Sequence, residues 1–326
     1  RAMIQKQGPI ARLVIYALLV AGSLVFLIPL FWMISTALKP IDQTMSMPPS
    51  WLPRQAYANV GGQRVPVTVG RALEDGRVEV MLADRTMRVV SAGEVVTRVK
   101  PRWGNFREAI VKMKYFPLYL KNTLVLCLLT VIGTVTSSAL AAYGFARIPW
   151  RGRNKVFLLA LATMMVPFPV VMVPVYALFR NLGWIGTLKP LWVGSFCAGA
   201  FNVFLLRQFF LTLPKDLSEA ARIDGCGEFR IFWQIILPLA RPALMVVGLF
   251  QFMATWNDFM GPLIFLTNQK DFTLALGLQF FQSQHGGTEW HYLMAASTLI
   301  VLPIILLFFF TQKTFIEGIS MTGIKG

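Results

Sequence analysis

The chain has 326 residues, of which 56% are hydrophobic and only 14% are charged, and its formal net charge at pH 7 is +16. Soluble domains carry about a quarter charged residues, whereas several apolar runs here are long enough to cross about 30 Å of hydrocarbon. The composition therefore excludes an ordinary soluble protein and predicts an all-α polytopic membrane protein. The basic residues lie mostly in loops, where membrane proteins use them to fix orientation, so the charge does not predict nucleic-acid binding.

Six apolar runs predict six transmembrane helices. They cover residues 13–38, 118–145, 156–179, 190–213, 243–266 and 291–311. Pro167, Pro169 and Pro174 break the third run, and residues 267–290 are predicted to form a polar loop. The chain is thereby divided into four parts: an N-terminal segment with the first helix (1–38), a long loop (39–117), the remaining helices (118–312) and a tail (313–326).

The distribution of basic residues predicts the orientation in the membrane. Lys and Arg number 14 in the segments on the N-terminal side and 3 in the short loops on the opposite side. Short cytoplasmic loops carry the excess of Lys and Arg, and loops as long as 39–117 do not follow this rule. Both termini are therefore predicted to be cytoplasmic, and loop 39–117 to be extracytoplasmic.

The long loop contains a segment, about 54–102, that alternates apolar and polar residues at period two. The alternation covers residues 63–70, 77–83, 86–91 and 95–100, with turn residues between these runs. This pattern predicts three or four short antiparallel strands and hence a small β-rich extracytoplasmic insert. The insert either contacts another protein or is a tolerated decoration, and its sequence does not distinguish the two.

Loop 214–240, between the fourth and fifth predicted spans, has the pattern of a helix, a sharp turn and a second helix. Asp216 is placed to cap the first helix, with Glu219 three residues later completing a capping box. Gly225 suits the left-handed residue that ends a helix. Phe229, Phe232, Trp233 and Ile236 predict one apolar face on the second helix, which Pro238 would end. Such a pair of helices outside the bilayer suits docking into a groove of a partner protein.

The same loop resembles the EAA signature of ABC importer permeases. The resemblance rests on seven residues at fixed spacing: Glu219, Ala220, Ala221, Gly225, Ile235, Leu237 and Pro238. It implies that loop 214–240 is the coupling loop that sits in a cleft of a cytoplasmic ATPase, and that Glu219 holds it there. An ordinary pair of interfacial helices is the alternative interpretation.

The resemblance extends over nearly the whole chain except the insert. The six spans, the basic loop 147–155, the Trp256–Phe259 stretch WNDF and the tail are similar to the carbohydrate-uptake group of ABC importer permeases (MetI-like fold), and to its MalG-type maltose permease subunit in particular. This implies a sugar or oligosaccharide importer in a bacterial or archaeal plasma membrane. The implied partners are two ATPase subunits, a second, different permease and an extracytoplasmic solute-binding protein.

Asn257 and Asp258 are polar residues in the fifth predicted span. Ionisable residues within a span are candidates for function, so we assign them a pore-lining or gating role. A contact of Asp258 with the external interface or with a neighbouring helix is the alternative.

Other functional classes have less support in the sequence. No GxxxxGK[ST] loop occurs, so the chain supplies no nucleotide site of that kind, and no cofactor is predicted. An ABC permease for another solute, such as a polyol phosphate, is the first alternative. An ion-coupled secondary transporter needs buried ionisable coupling residues, for which Asp258 is the clear candidate. A membrane-embedded enzyme needs clustered acidic or His residues, and the chain has two His in all.

Overall fold

The computed structural model of the chain describes residues 8–60, 62–73, 76–82, 84–282 and 287–322, with side chains as far as Gln312. It divides into two compact units, one formed by residues 1–112 and 280–301 and the other by residues 113–279 and 302–326. Loop 214–240, Asn257 and Asp258 belong to the second unit.

The first unit contains one long apolar helix and a sheet. Helix α1 (Pro9–Ala37) is followed by α2 (Ile41–Thr44), strands β1 (Arg54–Val60), β2 (Gln63–Ala72), β3 (Arg77–Met81), β4 (Met87–Ser91) and β5 (Val96–Val99), and α3 (Gly104–Lys112). The helix matches the first predicted span, since an isolated stretch of apolar residues of this length satisfies its backbone polar groups only as a helix in a membrane.

The five strands form one antiparallel sheet in the order β4-β3-β2-β1-β5. Ala56, Ala58, Val67 and Val80 form its small buried core. The sequence patterns located four of these strands and missed β1. Its small alanines carry little β propensity, and β1 gains its stability by pairing on both sides.

The two ends of the sheet segment lie next to each other. Lys100 N–H donates to the Pro53 carbonyl at 3.0 Å, and Arg102 N–H donates to the Leu38 carbonyl at 2.9 Å. The Asn105 amide group also donates to the Ala37 and Lys39 carbonyls at the end of α1. The sheet is therefore inserted between two points of the chain that are already within hydrogen-bonding distance.

The second unit is helical. Its helices are α4 (Phe116–Ala146), α5 (Arg153–Ala162), α6 (Phe168–Asn181), α7 (Lys189–Trp192), α8 (Ala200–Thr212), α9 (Asp216–Ile223), α10 (Glu228–Ile231), α11 (Leu237–Leu239), α12 (Arg241–Trp256), α13 (Met260–Phe265) and α14 (Leu274–Gly277). Helix α15 (Trp290–Thr322) starts in the first unit and ends in the second.

Four helical segments of the described residues are long and apolar enough to cross a membrane, and the number rises to six if each of two bent pairs is one span. Segments 9–37, 116–146, 189–212 and 290–312 are the four. The bent pairs are α5 with α6, at 97°, and the helical stretch 228–239 with α12, at 79°. The predicted break of the third span is present, because Pro167 precedes α6 and Pro169 lies in its first turn.

Two predictions about the second half of the chain need correction. Residues 267–290 are not a simple polar loop, because α14 and two 3-10 helices lie there and bury Leu274 and Leu276. The run 243–266 is not one continuous helix either. Helix α12 ends at Trp256 and α13 begins at Met260, so Asn257 and Asp258 lie at a break.

Candidate functional site

Loop 214–240 forms the expected helix, turn and second helix. Helix α9 ends in a Schellman turn, in which Cys226 N–H donates to the Ala221 carbonyl at 2.9 Å and Gly225 N–H donates to the Arg222 carbonyl at 3.0 Å. Gly225 has a φ of +80°, where residues with a Cβ are strained. The role predicted for Gly225 in the turn is confirmed.

The predicted capping box is wrong. Lys215 occupies the N-cap position of α9, and no side chain accepts a hydrogen bond there. Asp216 is instead the first helical residue, and Glu219 lies in the same first turn with its side chain exposed. Both carboxylates still favour the helix, because they lie beside the positive end of its dipole.

The prediction that Pro238 ends the second helix is also wrong. After α10 the backbone widens into a π-helix at Phe232–Ile236 and continues through α11 to Leu239. The wider turn relieves the clash that the proline ring makes in a regular α-helix. The break comes at Ala240, just before Pro242 in the first turn of α12.

One face of the loop is packed into the core of the second unit. Ala221, Ile231, Phe232 and Ile236 are buried in a cluster that also contains Tyr143. Of the other residues of the signature, Ile235 and Leu237 are partly buried against the same cluster, whereas Pro238 is exposed. The loop is thus fixed to the membrane helices along its inner face.

Phe229 and Trp233 do not lie on one face with Phe232 and Ile236, as the apolar pattern predicted. They are 72% and 62% exposed and stack on each other with ring centroids 6.4 Å apart. Ile223 is 86% exposed, and Glu219 and Ala220 are exposed as well. We call this group of five residues the outer patch. An exposed, stacked aromatic pair such as Phe229 and Trp233 is a candidate surface for binding another protein.

A carboxylate joins the loop to the end of α4. Glu228 accepts a hydrogen bond from the Tyr143 hydroxyl at 2.6 Å and another from Arg222 Nε at 2.7 Å. The hydrogen bond from Arg222 lowers the pKa of Glu228 below its usual 4.5; the bond from Tyr143 adds to this lowering, and burial opposes it. No sequence signal revealed this link, because Tyr143 and Glu228 are 85 positions apart.

Arg147 holds the start of the loop. Its guanidinium donates to the carbonyls of Phe210 and Leu213, both at 2.7 Å. These carbonyls lie at the end of α8 and just beyond it, where the backbone leaves acceptors unpaired. Desolvation lowers the pKa of Arg147 from its ordinary value, but arginine remains protonated. Arg147 therefore ties the end of α8 to α4, and Glu228 ties both helices of the loop to α4.

A second site lies at the break between α12 and α13. A cavity of about 230 Å³ is lined by Leu126, Leu191, Gln251, Ala254, Thr255, Asp258, Pro262 and Thr273. Asp258 Oδ1 accepts a hydrogen bond from Gly261 N–H at 3.0 Å. The Asn257 amide donates instead to the Met253 carbonyl of its own helix, at 2.8 Å, and is not among the cavity-lining residues.

Gln251 and Thr255 were missed from the sequence. Gln251 and Thr255 are four residues apart and lie on one face of α12, and Asp258 in the break after the helix lines the same cavity. That pattern was the available signal. Among the residues the structure describes, no three His, Cys, Asp or Glu side chains form a group that could hold a metal ion.

Comparison with known proteins assigns the fold and the family. Residues 115–320 match the family model of the binding-protein-dependent transport system inner membrane component. The chain is 39% identical over 209 residues to the arabinooligosaccharides transport system permease protein AraQ of Bacillus subtilis, which covers 63% of this chain and 72% of the relative. It is 35% identical over 214 residues to the trehalose/maltose transport system permease protein MalG of Thermococcus litoralis, covering 65% and 77%.

Among solved structures, a chain of a bacterial ABC transporter involved in the import of the acidic polysaccharide alginate superposes with a TM-score of 0.68. The alignment covers 93% of this chain and 96% of the other at 19% identity, which establishes a shared fold. The predicted MetI-like permease fold is confirmed. The chain belongs to the family of binding-protein-dependent transport system inner membrane components.

Proposed function

We propose that the chain is a permease subunit of an ABC importer for sugars or oligosaccharides and that it carries no catalytic site. The observation that carries the proposal is loop 214–240, which combines a buried inner face with the exposed outer patch. The names of AraQ and MalG support the solute class, since both relatives are described as permeases for saccharides.

In the proposed topology α5 with α6 forms the third span and α12 with α13 the fifth, so that six spans cross a plasma membrane with both termini in the cytoplasm. The excess of Lys and Arg on the N-terminal side supports this orientation. Loop 214–240 and the tail at 313–326 then face the cytoplasm. The sheet at 54–99 lies outside, within the loop 39–117.

Loop 214–240 is the proposed coupling element. The outer patch docks in a cleft of one of two ATPase subunits, with Glu219 and Ala220 at the contact. Arg147 and Glu228 make the loop and the end of α4 move together, so a displacement of the ATPase reaches the spans as a rigid-body rotation. A second, different permease and an extracytoplasmic solute-binding protein complete the assembly.

Asp258 is the proposed pore residue of this subunit. A carboxylate within a span faces a water-filled path or the bundle interior, because exposure to lipid is costly. Asn257 retains its sequence-based assignment as a gating residue, at the point where α12 stops.

Reconstitution in liposomes tests the proposal. The chain is assembled with its second permease, its ATPase and its binding protein, and ATP hydrolysis and uptake are measured with maltotriose, arabinotriose and trehalose. A saccharide that stimulates both is the expected result.

The alternatives give different outcomes in the same liposomes. Stimulation by glycerol 3-phosphate and by no saccharide would move the chain to the polyol-phosphate alternative. Uptake driven by a pH or sodium gradient without ATP would contradict the ABC mechanism and favour an ion-coupled transporter.

A further inference from the structure

Polar side chains form a stripe along the last turns of α12 and the break that follows it. Most other residues there are apolar. Gln251, Thr255 and Asp258 line the same cavity, and Ala254 beside them is small and exposed. The Gln251 amide donates to Thr255 Oγ1 at 3.0 Å, and Thr255 Oγ1 lies 2.9 Å from Thr130 Oγ1 on α4. Gln251 and Thr255 are therefore held in place by hydrogen bonds to each other and to α4.

The stripe lines the cavity of about 230 Å³ described above. Pockets for drug-sized ligands begin at about 300 Å³, so this cavity suits a single sugar ring better than a whole oligosaccharide. Leu126, which also lines the cavity, lies ten residues into α4, about 15 Å along the helix axis from its Phe116 end. The cavity is thus at membrane depth.

The carboxylate of Asp258 is held in place within this cavity. Its Oδ1 accepts from Gly261 N–H, and a Cβ added to Gly261 would lie only 2.5 Å from Oδ2. A Cβ at position 261 would displace the carboxylate from this position. Helix breaks at membrane depth occur where the backbone lines a cavity, as at the substrate sites of transporters with discontinuous helices.

We propose that this cavity is a saccharide subsite contributed by the chain itself, in which Asp258 and Gln251 bind the hydroxyl groups of a neutral sugar ring. The inference rests on the proposed importer function. Hydroxyls donate to the carboxylate in charge-assisted hydrogen bonds, while the Gln251 amide both donates and accepts. A uronate ring would place its own carboxylate near Asp258, so the subsite selects neutral saccharides over acidic ones.

Cysteine accessibility in the assembled transporter tests the subsite. Cys127, Cys197 and Cys226 are replaced by alanine, and single cysteines are introduced as Ala254→Cys and Thr255→Cys. The probe is a membrane-impermeant methanethiosulfonate. We expect both cysteines to be labelled, and maltotriose or arabinotriose at about ten times its dissociation constant to slow labelling about tenfold, because only the unoccupied site reacts. A trisaccharide of uronic acids should not protect.

Thr97→Cys is the matched control, because Thr97 is exposed in the sheet and is not among the cavity-lining residues. It should show no protection by sugar. Labelling at position 254 without protection by any neutral saccharide, or no labelling at all in an assembled complex, would overturn the subsite.

Uptake measurements separate this subsite from the proposed function. Asp258→Asn and Gln251→Leu should each lower saccharide uptake about tenfold at equal amounts of assembled complex. If both variants transport like wild type, the subsite is wrong and the importer function stands. If the wild-type complex shows no response to saccharide, the proposed function itself fails.

Discussion

The hydrogen bond between Tyr143 and Glu228 should measurably stabilise the attachment of loop 214–240 to α4. Tyr143 is 4% exposed, and its hydroxyl is 2.6 Å from Glu228 Oε2. Hydrogen bonds to charged groups contribute about 1.5–3 kcal/mol, whereas half-exposed ion pairs contribute at most about 1 kcal/mol. Since the Arg222 and Glu228 side chains are 40% and 42% exposed, the Tyr143 bond should be the stronger of the two.

A double-mutant cycle with Tyr143→Phe and Glu228→Ala measures this bond. Phenylalanine keeps the ring that packs 5.1 Å from Phe232, so the first substitution removes only the hydroxyl. We expect the two changes together to cost about 1–2 kcal/mol less than the sum of the single costs, in the free energy of unfolding measured by detergent titration. Arg222→Ala should lower the free energy of unfolding by less than about 1 kcal/mol. Additivity within about 0.5 kcal/mol would refute the reasoning.

The pH dependence of the same bond has a defined sign. The pKa of Glu228 is lower in the folded protein than its usual 4.5, so its contribution is fully present above that value and is lost as the pH falls through the folded pKa. Thermal stability attributable to Glu228 should therefore be constant from pH 7 to about 5 and fall below about pH 4.5. Glu228→Gln should lack this acid step, and an unchanged acid profile in that variant would contradict the assignment.

Three further predictions concern the turn, the outer patch and the sheet. Gly225→Ala should destabilise the loop by about 1–2 kcal/mol because φ is +80°, which thermal inactivation of the complex would detect; an unchanged midpoint would contradict it. Trp233→Ala should keep the free energy of unfolding within about 0.5 kcal/mol of the wild-type value, because the ring is exposed. The same change should weaken ATPase binding at least tenfold in co-purification, and binding at the wild-type level would remove Trp233 from the interface. Replacing residues 54–99 by a short Gly-Ser linker should preserve uptake, because Pro53 and Lys100 are hydrogen-bonded to each other; loss of uptake with normal assembly would indicate that the sheet binds a partner.

The features predicted successfully from the sequence are those set by local chemistry. The length of the first apolar run located α1 (Pro9–Ala37), and the need for a left-handed residue located the turn at Gly225. Period-two alternation found the strands from β2 onward. In each case a few neighbouring residues determine the outcome, whatever lies elsewhere in the chain.

The features that were missed depend on distant parts of the chain or on local geometry with several solutions. The link from Tyr143 to Glu228 is a tertiary contact. Pro238 was expected to end a helix, but a π-turn before it removes the clash, and sequence patterns do not predict that widening. The exposure of Phe229 and Trp233 likewise follows from which face of the second helix the core covers.

The most direct test of the coupling role is ATP hydrolysis by the reconstituted complex with Glu219→Lys, compared with wild type and with Glu94→Lys, which makes the same charge change in the sheet segment. Glu219 is exposed, so the substitution should leave assembly of the membrane subunits intact. We predict that Glu219→Lys abolishes the stimulation of hydrolysis by the loaded binding protein and that Glu94→Lys retains it. Hydrolysis and uptake at wild-type levels in Glu219→Lys would contradict the assignment of loop 214–240 as the coupling element.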